Sequence, residues 1–393
     1  MTATHDITAK ARSLLSQIDL DRPELAQVKA AADPAAAFVA HLATPPRPRY
    51  TVEYERKREI LAFLTEHYQS WRAFDTGPAQ KYVDMSIADA QRARGTGGIA
   101  ALGRAWWATG DEKFGRAFER FFLETATGEM FTWGAFNASQ SKPELHSWFL
   151  LQDCPGFSTE GRIAYLDHLI QISHNAWDEH CSQWSQLSLG PEGHNWYLHG
   201  MHTLPQVGLL FPEFKRSAYF VRSPWSMVEE HVRGHLKSDG GARETTLGYQ
   251  AGSMLCLWDM YLNATRNGWP TSPGMADRLL HATKFVLRLA TPIGSLPSFG
   301  DTQPSRGQLM TLAAFAAAVT GDGECKWYAQ RDRALLADNA GESQEQIPLG
   351  AFWYVGLAGA ATYANTRAKD PKHTSVFHGM TGYAAMRDSY ATE

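Results

Sequence analysis

From about residue 52 to about residue 335, the apolar residues of this 393-residue chain recur three and four positions apart. That spacing puts one greasy stripe on each of a series of helices and leaves no room for a sheet built from alternating strands. The stretch Tyr54 to Trp71 sets Ile60, Phe63, Leu64 and Tyr68 on one stripe. The segment Ile87 to Asp111 reaches a helix stop at Thr109-Gly110, and the next helix starts directly after it. Further helical patterns cover about 161–180, 194–210, 224–237, 245–266, 274–290, 307–320 and 325–336. The connections carry Gly, Pro, Asn and Ser, as turns require. Roughly ten helices result, open to a bundle, a superhelix or a closed ring of helix hairpins. There is no strict repeat of the kind short-repeat solenoids show.

The two ends differ from the middle. Residues 1–50 read as a helical or extended arm and 51–345 as the main helical domain. From about Pro348 the segments are shorter and richer in β-branched and aromatic residues, so 346–393 reads as β-rich, with a strand or hairpin over SVF…GYAAMRD. A lone hairpin is not stable in water, so it has to pack on the helices or belong to something larger.

Composition narrows the partners. A net charge of −4, with Lys and Arg scattered along the chain, argues against nucleic acid, which needs a concentrated basic surface. A local basic cleft for an acidic sugar polymer remains compatible with it. The 13 Trp and 14 Tyr, among them Trp106-Trp107, Trp133, Trp196-Tyr197 and Trp225, serve either as core or as flat platforms for sugar rings. The four cysteines are far apart and read as reduced thiols. No run of apolar residues is long enough to span a membrane, and the N-terminus shows no signal peptide, so a cytoplasmic protein is expected. Nothing in the sequence sets an oligomeric state.

Chemistry-bearing residues gather in two segments, Pro191 to His202 and Asp239 to Gln250. Asn195, His199 and His202 fall four and three residues apart and so share a helix face. With His194 nearby a metal site is conceivable, but no Asp, Glu or Cys completes a ligand pattern, and neither metal nor cofactor is expected. In the second segment Ser238-Asp239-Gly240-Gly241 forms a turn, and Arg243, Glu244 and Tyr249 follow on a loop that enters a helix. Each has an ordinary alternative: satisfied histidines on a polar helix face, a surface ion pair for Arg243 and Glu244, a core tyrosine. A third loop, Ser295 to Ser305, carries Asp301, for which capping a turn is the ordinary alternative.

Taken together, these elements resemble the heparinase II/III-like superfamily of polysaccharide lyases, which act on heparin, heparan sulfate and alginate. Leu102 to Phe122 looks like the family's helix pair around a TGD-K-(Y/F) turn, and His194 to Lys215 like its asparagine helix. SDGGARETTLGYQ is similar to its DGG–E–Y segment, LPSFGDTQP to its P-x-x-GD loop, and His378 to Asp388 to the first strands of its β-sandwich. Three positions depart from the pattern. Gln250 stands where many relatives have a histidine, and His194 where an asparagine is common. The family's further histidine comes from the sandwich, and in the tail only His373 and His378 are present, neither at the expected place.

The resemblance implies a mainly α fold, an incomplete (α/α) toroid of helix hairpins followed by the start of an antiparallel β-sandwich, here apparently truncated. It also implies β-elimination at a uronic acid. Asn195 would neutralise the substrate carboxylate, and Tyr249 would act as base and acid with His202 beside it. Arg243, Glu244, His194, His199, Trp133, Trp196 and Asn137 would hold the acidic polysaccharide or oligosaccharide. Two alternatives stand beside this. One is a hydrolase on a helical toroid, such as an unsaturated glucuronyl hydrolase, nominating Asp239, Glu244 and Asp301. The other is a non-catalytic glycan-binding remnant.

Overall fold

A computed structural model describes residues 7–44, 50, 52–86, 89, 98–124, 134–177, 195–297, 306–334, 343–372 and 374–389. Among the described residues the fold is mainly helical, with one small antiparallel sheet near the end. The chain divides into two compact units. One comprises 1–50, 70–184 and 199–224, and the other 51–69, 185–198 and 225–393. The N-terminal arm is therefore an integral part of the first unit. None of the described helices is long and apolar enough to cross a membrane.

In the first unit, α1 (Ile7–Gln17), α2 (Ala26–Ala30) and α3 (Pro34–Leu42) precede α5 (Trp71–Asp84), α6 (Gly98–Thr109) and α7 (Lys113–Glu124); α4 belongs to the second unit. The expected stop at Thr109-Gly110 is present. Gly110 adopts φ 70°, the left-handed conformation that ends a helix cheaply only when the side chain is absent. Asp111 then caps α7 by accepting from the Lys113 amide at 3.0 Å. Phe114, Phe118, Phe121 and Phe122 form the apolar stripe of α7, and all four are buried. At about 1.5–3 kcal/mol per fully buried large side chain, that stripe alone anchors the helix. It packs against α9 (Thr159–Asn175), where Phe118 and Phe122 meet Tyr165 with centroids 5.4 and 4.9 Å apart, and Trp148 of α8 (Gly134–Leu150) stacks on the same tyrosine at 4.9 Å. Ser158 caps α9 through the Gly161 amide, and Glu119 holds that serine in turn.

Helix α10 (Asn195–Leu210) and helix α11 (Ser217–His235) contribute residues to both units. The second unit contains α4 (Lys57–His67), α12 (Leu247–Arg266), α13 (Met275–Leu289), α14 (Arg306–Thr320), α15 (Gly323–Ala334) and α16 (Leu349–Asn365). Small residues make close helix packing possible here: Ala313, Ala314, Ala316 and Ala317 of α14 are all fully buried.

Three expectations need correcting. The stripe over Tyr54 to Trp71 is not one helix, because α4 stops at His67 and Tyr68 turns extended at φ −132°. Its hydroxyl instead donates to the Ile347 carbonyl at 2.6 Å, which fixes the chain at that break. The supposed β-rich start of the tail is helical: Leu349–Asn365 forms α16, interrupted only at Gly356, where φ is 67°. An apolar run of that kind suits a buried helix as well as a buried strand, and periodicity cannot separate them. Finally, Trp107 and Trp225 are core residues and not sugar platforms.

The strands proper are β1 (Val376–His378) and β2 (Tyr383–Ala385), paired antiparallel with His378 opposite Tyr383. One face of this hairpin, Val376, His378, Tyr383 and Ala385, is half-buried. The other carries Phe377, exposed to 77 %, and Met386, exposed to 91 %.

Candidate functional site

The second of the two chemistry-bearing segments is a tight hairpin turn between helices. Helix α11 ends at His235, and Leu236 bridges back to Ala242 in antiparallel fashion. The Lys237 amide donates to the Gly241 carbonyl at 2.8 Å, and the Arg243 amide to the His235 carbonyl at 2.9 Å. Gly240 takes φ 90°, which other residues adopt only under strain. Gly241 is small for a different reason: a Cβ there would lie 2.1 Å from Thr381 Cγ2 and 2.8 Å from the Phe285 ring. Both glycines are thus required by geometry.

Asp239 ties this turn to the tail. Its Oδ1 accepts from the Gly241 amide at 3.1 Å, while Oδ2 accepts from the Thr381 amide at 2.8 Å and the Thr381 hydroxyl at 3.0 Å. Partial burial pushes its pKa up, but these hydrogen bonds outweigh that and hold the carboxyl below its ordinary range. The Tyr383 hydroxyl donates to the Thr245 carbonyl, and Arg387 donates to the carbonyls of Arg288 and Ala290 at 2.6 and 3.1 Å. His378 lies against the Phe285 ring, centroids 4.3 Å apart. Its Nε2 is buried with no hydrogen-bond partner among the described residues, and burial lowers its pKa below that of an ordinary imidazole.

Beyond the turn, Arg243 is exposed and Glu244 half-buried, and Tyr249 sits half-buried in the first turn of α12. Gln250, the next residue, is only 3 % exposed. Its Oε1 accepts from the Ala242 amide at 2.9 Å, and its Nε2 donates to the Gly240 carbonyl at 2.7 Å and the Ala282 carbonyl at 3.3 Å. Sequence reasoning treats Gln250 only as a departure from a family pattern. A signal for more is available: Gln250 shares the buried stripe of α12 with Leu247, Ala251 and Met254. A polar side chain on such a stripe needs partners.

The first segment is placed less fully. Asn195 is the first residue of α10 as expected, and His202 is buried two turns further on, 1 % exposed. Asn195, Trp196, His199 and Asn137 lie on helices, but their side chains fall outside the described residues. His194, Trp133, Asp301 and His373 lie outside them altogether. Arg243, Glu244 and Tyr249 share one loop-and-helix element of the second unit, and His202 belongs to the first. Among the described residues, no group of three or more His, Cys, Asp or Glu is placed to hold a metal ion.

The mainly helical fold with a short antiparallel sheet is that of known lyases. Solved structures similar to this chain include a crystal structure of heparinase III, with a TM-score of 0.62 at 16 % identity. That match covers 81 % of this chain and 55 % of the other. A heparan sulfate lyase HepC mutant from Pedobacter heparinus matches with a TM-score of 0.58 at 16 % identity, over 96 % of this chain and 59 % of that one. The fold class is therefore the (α/α) toroid with the start of an antiparallel sheet. The chain spans little more than half the length of these structures. No curated protein matches it in sequence. Residues 99–320 match the model of the heparinase II/III N-terminus, more than half of the chain, and the chain belongs to that family.

Proposed function

We propose that this protein is a polysaccharide lyase that cleaves uronic-acid-containing glycans, of glycosaminoglycan or alginate type, by β-elimination. One observation carries this: within a heparinase-family domain, the Asp239 turn delivers an exposed Arg243 next to the first turn of α12, where Tyr249 stands.

The chemistry sets three demands. The C5 proton is scarcely acidic until the neighbouring carboxylate is neutralised, so that the enolate-like charge is stabilised as it develops. Asn195, at the start of α10, supplies that donor. A base must take the C5 proton and an acid must protonate the departing glycosidic oxygen. Tyr249 serves as both: its phenolate takes the proton, and the resulting phenol passes it to the leaving oxygen as the C4–O bond breaks and the C4–C5 double bond forms. This requires an environment that lowers the phenol pKa from about 10, and the positive charge of Arg243 acts in that direction. One residue filling both roles favours syn elimination, with proton and leaving group on the same face of the sugar.

The test is product absorbance near the ultraviolet edge during incubation with heparan sulfate, heparin and alginate. Lyase products carry the C4–C5 double bond and hydrolase products do not. Tyr249→Phe should abolish the signal while leaving oligosaccharide binding nearly intact. Asn195→Ala should slow turnover by about 100- to 1,000-fold, the usual cost of one charge-stabilising donor. Full activity in Tyr249→Phe would refute this assignment.

A further inference from the structure

We propose that Gln250 is a positioning residue that fixes Arg243 relative to Tyr249. It directly follows Tyr249 in α12, and its side-chain amide grips the turn that ends at Ala242, the residue before Arg243. An amide suits this place because it presents one acceptor and one donor group together. The acceptor meets the Ala242 amide, and the donor meets the carbonyls of Gly240 and Ala282. The Ala282 contact, from α13, ties the same side chain to a third element.

The geometry also excludes direct participation. At 3 % exposure, with both side-chain heteroatoms engaged by backbone, Gln250 does not reach a substrate. It acts on the reaction only through the placement of the turn. Gly240 and Gly241 give that turn little stiffness of their own, because backbone without a side chain is the most mobile there is. The turn is held from outside, by Asp239 toward the tail and by Gln250 toward α12. Gln250, one residue on from Tyr249, holds the turn at Gly240 and Ala242. This inference rests on the lyase assignment above.

The experiment compares the full chain with Gln250→Glu and Gln250→Leu, using the uronate polymer that the wild type cleaves best. KM and kcat are measured from pH 5 to 9, with hydrogen exchange at the Ala242 amide alongside. In Gln250→Glu the introduced carboxylate, when ionised, still accepts from Ala242 but has nothing to donate to Gly240 and Ala282, whereas its protonated form donates again. Gln250→Glu should therefore show KM raised about tenfold at pH 8 and recovering toward wild type as pH falls, a tenfold change being about 1.4 kcal/mol of lost placement. Gln250→Leu should show the raised KM at every pH, with faster exchange at Ala242. The wild-type profile carries whatever Asp239 and His281, the neighbouring titratable groups, contribute, so recovery is read as a ratio to it.

A folded Gln250→Leu variant with wild-type KM and kcat overturns the proposal. So does a folded Gln250→Glu variant whose ratio to wild type does not change with pH. Absence of unsaturated product from the wild type on every uronate polymer would instead overturn the lyase assignment, and the proposal with it. An active wild type with unaffected variants would overturn the proposal alone.

Discussion

Replacing Asp239 by alanine should loosen the tail hairpin without unfolding the helices. The side chain provides the Thr381 amide and hydroxyl with their acceptor at 2.8 and 3.0 Å, and it also holds the Gly241 amide. Hydrogen bonds to a charged group contribute about 1.5–3 kcal/mol each in mutational series, and such values do not add fully. The carboxylate is only half-buried, so solvent screening reduces them further. A loss of about 2–3 kcal/mol for docking the hairpin is the resulting expectation. At about 1.4 kcal/mol per factor of ten, that is a roughly 30- to 150-fold faster hydrogen exchange at the Thr381 amide. The hairpin should stay attached, because the Phe285–His378 contact and the Arg387 hydrogen bonds remain. Acid should mimic the substitution. The folded-state pKa of Asp239 is depressed, so its contribution is complete above the unfolded value of about 3.9 and is lost as pH falls through the lower folded value. Unchanged exchange at Thr381 in the variant would refute the reasoning. Equal acceleration at Thr381 and in the interior of α13 would refute it too, by showing that the hairpin does not open by itself.

Two further substitutions test how each unit is held together internally. Gly356→Ala places a Cβ 2.2 Å from the Glu53 carboxylate at a residue with φ 67°, where a side chain costs about 1–2 kcal/mol by conformation alone; the urea midpoint should drop, and an unchanged midpoint would mean that the α16 break is not fixed by Gly356. Arg104→Met strips a partner 2.6 Å from Asp75, a carboxylate exposed by only 1 %, and breaking such a pair costs up to about 3–5 kcal/mol. Urea unfolding should also show the double variant Arg104→Met with Asp75→Leu to be more stable than the single one.

Much of this was legible in the sequence because the signals were local. The stop at Thr109-Gly110 needs only a glycine able to take positive φ, and the turn at Asp239 to Gly241 needs only its own residue types. Most expected helices lie within a few residues of their place, since each stripe is written in its own segment, but α11 starts at Ser217 where about 224 is expected, and α8 is not expected. Long-range pairing was not legible. Gln250 meets Ala282 across 32 residues and Asp239 meets Thr381 across 142, and nothing near either residue names its partner. The tail misled for a related reason. AFWYVGLAGAATYA is apolar on every side, so the choice between helix and strand fell to packing: Phe352 stacks on Phe63 of α4, centroids 5.2 Å apart.

The same long-range contacts bear on the choice between elimination and hydrolysis. A glycoside hydrolase needs two carboxyl groups facing the bond, one of them protonated at working pH. Asp239, one of the three nominated from the sequence, spends both oxygens on Gly241 and Thr381 and is held ionised by them. A general acid needs the opposite shift, upward, of the kind an apolar pocket gives. Asp239 is therefore a structural carboxylate, and the DGG turn owes its aspartate to the hairpin it anchors. What the turn presents outward is Arg243, a cation, followed by Tyr249 on the adjoining helix. In the reading proposed above, such a cation and a phenol serve abstraction of a proton next to a carboxylate, with the guanidinium gripping that carboxylate. They do not suit protonation of a glycosidic oxygen by a carboxylic acid. With Asp239 committed to the hairpin, the hydrolase reading loses one of its three nominated carboxylates, which agrees with the elimination proposed above.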